Sequence, residues 1–291
     1  MIMNTSSAPQ VTSMSLTEAI EVSDNPIGGR FLKHFKHEPF VKEGKEIPLI
    51  RPTSSPWATA KSEGTEATEQ NHIANSTTIL KPKRFADKIV LSEQIANDSS
   101  IDHVKYARDL ALQRMIAGFS RQILFNGAHN DSTEEIKKRD VQLLFPDANN
   151  LTPEGLVFNY NTMITNGYNP LYDAGFSKDA CWFINSGITP SIINPDTGDE
   201  MLKIDDKDKP EGAYATFMGL PVYRERIRNS ENQNMAWGIA CPQAYSVMIS
   251  DIKVVETTPS TVQAIKGEKV YVIEMWADGA ITNHMAKLSR I

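Results

Sequence analysis

Apolar side chains recur at intervals of three and four through Val104, Ala107, Ala111, Met115 and Phe119, a stripe that predicts a helix buried on one side. Ser99 with Asp102 three residues on resembles a capping box, and Asn126-Gly127 supplies a stop, so the helix is expected over 99–127, about seven turns. Lys105, Arg108 and Arg121 fall off the stripe. A second helix is expected from Thr152, whose side chain can cap it, with Pro153 where a missing N–H costs nothing. Leu156, Tyr160, Met163 and Ile164 share its apolar face, and Asn166-Gly167 is read as its end. Shorter helical stretches are expected from Gly29, with Phe31, Leu32 and Phe35 on one side, and from Ser92 through Ile95.

Period-two and continuous apolar runs mark the strands. They fall at Ile47, Leu49 and Ile50, over 77–80 and 85–91, at 141–145, and as a buried run at 181–185. Further strands are expected at 220–223 after a bend at Gly219, at 245–249, at 270–276 and at 286–289, with a turn at 195–198. Helices and strands do not alternate regularly, so the fold class is α+β, a mixed domain against which the long helix packs.

Two stretches break the pattern. Residues 1–25 hold few large apolar side chains and run into Pro26 and Gly28-Gly29, as an extended arm would. Within 51–78 the only large apolar side chains are Trp57 and Ile73, among many Ser, Thr, Glu and Asn, so no local core can form. Pro52, Pro56 and Gly64 suit an extended hairpin better than a helix. Such a segment is either a floppy surface loop or a two-stranded excursion completed by another subunit. The strand-like flanks favour the second reading.

Composition narrows the class of function. The chain has 291 residues, 40% hydrophobic and 23% charged, enough for a full core without metals or disulfides. No apolar run approaches a membrane span, and the start lacks the basic and apolar blocks of a secretory signal, so export is not expected. A net charge of -6 offers no broad field for phosphate backbones, and the short basic run Lys81, Lys83, Arg84 does not alter that. Cys181 and Cys241 lie far apart and read as core thiols of a reducing compartment.

Catalytic signatures are missing: there is no phosphate loop, no GxSxG elbow and no GxGxxG after a strand. His34 and His37, with Glu38 adjacent, lack the further ligands of a zinc site. Asn194, Asp196 and Asp199 resemble a calcium loop, but Pro195 interrupts it and the closing Glu is absent, which favours a turn. Asp205, Asp206, Lys207, Asp208 and Lys209 read as a solvated loop, and Met201, Met218, Met235 and Met248 as scattered gap-fillers. No cofactor, metal or catalytic residue is expected.

Trp57, Glu63-Gly64, Phe85 and Ile89 before Leu91-Ser92-Glu93, and the helix ending at Phe125-Asn126-Gly127 occur in an order that resembles the tailed-bacteriophage major capsid proteins of the Hong Kong 97-like fold. The run from Ala180 to Asn185, Met218-Gly219-Leu220-Pro221-Val222, Trp237-Gly238 and the stretch 270–278 resemble the family's later landmarks, so the likeness extends from about Gly29 to the end. It implies an N-terminal arm (1–28), a peripheral domain (29–50 and 79–150) with a spine helix at 99–127, an extended loop (51–78), an axial domain (151–250) and peripheral return strands (251–291). It further implies a non-enzymatic subunit that self-assembles through pentamers and hexamers into an icosahedral virion shell around double-stranded DNA, without sequence-specific DNA contacts or a membrane. Assembly would take place in the host cytoplasm.

Candidate intersubunit contacts are Trp57, Lys61, Glu63, Glu66, Glu69 and Arg84. Portal and decoration proteins are candidate partners; no helical scaffold region precedes the arm, with Met1 read as an intact start, so either a separate scaffolding protein exists or assembly needs none. Some relatives join a loop Lys to a neighbour's Asn with help from a Glu. Lys61 and Glu274 suit two of those roles, but Gly267 stands where the Asn is expected, so a noncovalent shell is expected. The acidic balance suits a wall that holds DNA without adhering to it. An encapsulin-type nanocompartment shell is the alternative, and a soluble enzyme with a site in 151–250 a remote one.

Overall fold

Half-buried and exposed positions alternate over 83–90 of the strand Lys83–Ser92, as a strand with one covered face requires. The computed structural model describes residues 11–14, 29–50, 63, 73–92, 103–125, 141–145, 160–187, 190–227, 235–257, 265–283 and 287–290. In chain order they form strand β1 (Val11–Met14), a 3-10 turn (Arg30–His34), β2 (Lys36–Glu38), β3 (Lys45–Ile50), β4 (Ile73–Leu80), β5 (Lys83–Ser92) and helix α1 (His103–Phe125). Helix α2 (Tyr160–Met163), a π-turn (Ile164–Tyr168) and α3 (Asn169–Asp173) follow without a break. The chain then runs through β6 (Cys181–Asn185), β7 (Ala215–Phe217), β8 (Leu220–Glu225), β9 (Trp237–Ala240), β10 (Tyr245–Ile249), β11 (Ile252–Thr257), β12 (Glu268–Ile281) and β13 (Lys287–Arg290).

Two units share these elements. The first comprises Met1–Gly29, Pro82–Ser120 and Ile249–Ala277. In it β12 is flanked by β5 and β11, and β1 adds outside β11, every pair antiparallel. The predicted arm therefore contributes a strand, with Val11 opposite Val255 and Met14 opposite Ile252. One sheet face receives α1: Phe85 meets Phe119 edge-on with ring centroids 5.5 Å apart, and Ile273 and Met275 are buried. The stripe foreseen in the sequence is the buried side of α1, with Ala111, Met115 and Phe119 all covered and Lys105 exposed. Gly29 closes against this helix at φ +89, where a Cβ would lie 2.8 Å from Ile116 Cγ2.

The second unit comprises Arg30–Lys81, Arg121–Met248 and Asp278–Ile291. Its main sheet runs β13-β9-β6-β8-β7, with β6 and β8 parallel and the other pairs antiparallel. Every residue of β6 is buried, as its unbroken apolar sequence demands of a central strand. Trp182, Trp237 and Phe217 form the middle of the core, with the two indoles 5.6 Å apart. A second aromatic group joins Phe31 to Phe183 and Phe35 to Tyr245, which confirms the shared apolar side of the Arg30–His34 turn.

Two readings need correction. Residues 141–145 are not a strand: Val141, Leu143, Leu144 and Phe145 are all buried, and Gln142 and Leu144 donate singly to the Gly279 and Ile123 carbonyls rather than to a ladder. The helix through Met163 does not end at Gly167 but passes through the π-turn to Asp173. Gly167 is there for packing, since a Cβ would lie 2.9 Å from Trp237 Cζ3 and 3.2 Å from Trp182 Cη2. The last strand, Lys287–Arg290, pairs with β9 beside β6. Strands β2, β7, β9 and β11 were not foreseen as strands. The starts of both predicted long helices and the helix after Ser92 lie outside the described residues, with Ser92 itself closing β5.

Candidate intersubunit surface

The sequence between Ile50 and Ile73 is bracketed by an antiparallel base, with Lys45 opposite Leu80 and Ile50 opposite Ile73. Three kinds of interaction fix that base within the second unit. Ile47 and Leu80 are buried with Met248 and Ala280. Glu38, its side chain 8% exposed, takes Lys45 Nζ at 2.5 Å and Lys36 Nζ at 2.9 Å. The lysine hydrogen bond, led by Lys45, holds the Glu38 carboxyl below its ordinary range despite the opposing cost of burial. At the exit, Lys81 N–H donates to Asp278 Oδ2 at 2.7 Å, and Gly279 N–H to Oδ1 at 2.9 Å, so a buried carboxylate pins the turn between β4 and β5.

In the first unit, the sheet face opposite α1 carries Arg84 and Lys88 on β5 and Glu274 on β12. Arg84 Nε donates to Glu274 Oε2 at 2.9 Å, and Lys253 of β11 stands opposite Glu274 in register. Asp87 points to the other face, 3.8 Å from Arg114 of α1. The exposed face therefore presents three cations around one carboxylate.

Of the residues singled out in the sequence, Arg84 is placed on this face with its charge engaged by Glu274, and Glu63 is exposed in a turn. Trp57, Lys61, Glu66 and Glu69 lie outside the described residues. Gly267 sits at φ 64 just before β12. Sequence reasoning missed Lys88, Lys253, Asp278 and the Glu38 clamp. Two signals were available: Asp278-Gly279 interrupts an otherwise apolar strand, and Lys36 and Glu38 share one strand face at a spacing of two.

The other polar groups weighed for chemistry have structural partners. His34 Nε2 lies 2.5 Å from Tyr223 Oη, and burial, then Lys33, lowers the His34 pKa. The His37 ring is 2.9 Å from the Leu32 carbonyl. The three residues considered as zinc ligands thus face three different partners. Asn194 Oδ1 accepts the Asp196 N–H at 2.9 Å, the geometry of a turn. Asp206 accepts Thr216 Oγ1 at 2.5 Å, a bond that lowers its pKa. Cys181 and Cys241 are both buried free thiols, and burial pushes Cys181 up to about 12. No group of three or more His, Cys, Asp or Glu side chains is placed for a metal among the described residues, and no helix among them is long and apolar enough to cross a membrane.

No family model and no curated protein matches the sequence. Solved structures do match the fold. The capsid of an empty GTA particle aligns at TM-score 0.55 and 12% identity over 90% of each chain. A structure of Microbacterium phage Oxtober96 aligns at TM-score 0.60 and 14% identity, covering 94% of this chain and 95% of the other. One of Mycobacterium phage Adephagia aligns at TM-score 0.55 and 11% identity over 93% and 90%. Likeness over nine-tenths of both chains, at identities too low for sequence comparison to register, shows that this chain has the α+β fold of the phage major capsid proteins, as its sequence landmarks imply.

Proposed function

We propose that the chain is the structural subunit of a tailed-phage head, self-assembling into an icosahedral shell around double-stranded DNA and without catalytic turnover. The observation that carries this reading is the excursion between Ile50 and Ile73. It springs from an anchored two-stranded base, yet its sequence holds too little apolar surface to complete itself. A neighbouring copy supplies that surface. The fold shared with GTA and phage capsid structures supports the same reading and favours a virus head over an encapsulin shell.

On this reading residues 1–28 are the arm, 51–78 the extended loop, α1 the spine of a peripheral domain, and 151–250 the axial domain. The pairing of Lys287–Arg290 with Trp237–Ala240 attaches the last strand to the axial sheet. Trp57, Lys61, Glu63, Glu66 and Glu69 contact a neighbour, where the cationic face of Arg84, Lys88 and Lys253 complements the three glutamates. The shell is noncovalent: Glu274 is held by Arg84, and Gly267 offers no side chain for a link.

Light scattering and negative-stain microscopy of the purified protein test the proposal. Rings or closed shells that run as single subunits on a denaturing gel, with DNA in particles taken from infected cells, are the expected result. A monomer at every concentration overturns it, covalent ladders overturn the noncovalent shell, and particles filled with enzyme instead of DNA identify a nanocompartment.

A further inference from the structure

Met218 occupies a backbone conformation that methionine disfavours. Among the described residues it alone of the non-glycine residues has a positive φ, +56, and Gly219 follows at +74. The two form the tip of the β7–β8 hairpin, whose closing pair is Phe217 and Leu220. Consecutive left-handed residues are the signature of a type I′ turn, which selects Asn-Gly or Asp-Gly because a Cβ at the first position is strained. Burial of Phe217 and Leu220 and the Tyr214 N–H bond to the Val222 carbonyl, 2.8 Å, fix the ladder and so impose that turn.

The side chain stays partly exposed within its own subunit. Met218 is 38% exposed, whereas Met235 and Met248 are fully buried, so the reading of all four methionines as gap-fillers fails here. The tip stands in open space, since a Cβ built on Gly219 meets nothing within 4 Å. An asparagine would relieve the strain and the apolar exposure together. A residue that is strained and exposed at once points to a contact made outside the subunit.

We infer that Met218 is an anchor for assembly, seated against apolar surface of a second copy of this chain. The inference rests on the shell-subunit reading and names one of its contacts. Exposed apolar side chains of the second unit that a neighbour could bring to the tip include Tyr172, Ile193 and Ile204, 63%, 53% and 44% exposed. In a shell every copy presents the same tip, so a modest gain per contact is multiplied over many interfaces.

The test compares full-length wild type, Met218→Asn and Met218→Leu. Met218→Asn is expected to raise the melting temperature of the unassembled subunit by about 2 °C and the critical concentration for assembly about tenfold. Met218→Leu, which keeps the strain and the apolar tip, is expected to assemble within about twofold of wild type. A fall in melting temperature for Met218→Asn overturns the inference, because Met218 would then pack on its own chain. So does a stabilised Met218→Asn that assembles like wild type. Wild type that never assembles overturns the shell reading itself, a distinguishable failure.

Discussion

Single atoms decide several positions in this fold, and glycine shows it most directly. Gly279 lies in β12 where a Cβ would overlap the Tyr245 ring and stand 2.9 Å from its Cζ. Tyr245 cannot yield, because it is fully buried and its hydroxyl donates to the Gln142 carbonyl. Gly279→Ala is therefore expected to destabilise the subunit by about 1–3 kcal/mol, measured by denaturant unfolding; a change within error would mean that the ring has room to move. Gly167 illustrates why such positions mislead sequence reading. Asn-Gly signals a helix end, but here the glycine makes room for Trp237 and Trp182 while the helix continues. Whether a glycine serves a turn or a close approach depends on what faces it, which local sequence does not contain.

Among the elements, those carrying a strong pattern were legible. The stripe on α1, the alternation of β5 and the buried run of β6 all took the predicted form. Short elements were not: β2 and β7 have three residues each, too few to show a period. The apolar run at 141–145 marked burial but could not mark pairing. The same limit applies to the candidate surface. Arg84 was visible as part of a basic run, while its partner Glu274 lies far along the chain and meets it only through the β5–β12 register.

The hairpin base adds a prediction at this scale. Because Lys45 and Lys36 hold the Glu38 carboxyl below its ordinary 4.5, the folded state binds its proton less readily than the unfolded state. The stabilisation is complete above about pH 4.5 and is lost as pH falls from there through the folded value. Glu38→Gln is expected to cost about 1 kcal/mol at neutral pH. The gap in melting temperature between the two proteins should close below pH 4.5; a gap independent of pH would show that the carboxylate charge contributes nothing.

At the scale of the whole molecule, the excursion around Trp57 is, on the proposed shell reading, the part that a single copy leaves unfinished. Trp57→Ala is expected to abolish or strongly impair assembly while changing subunit stability by less than about 0.5 kcal/mol, read by light scattering beside thermal unfolding. A large loss of subunit stability would place Trp57 in the subunit's own core and remove the need for a neighbour. The amino-acid sequence by itself determined the amphipathic helix, the main strands, the coreless excursion and the family likeness, because each depends on residue order and local periodicity. Tertiary structure decided the strand partners, the destination of Lys287–Arg290, the Glu38 and Asp278 anchors and the strain at Met218. These depend on contacts between residues distant in the chain, whose pairing is set by register and packing and leaves no periodic trace.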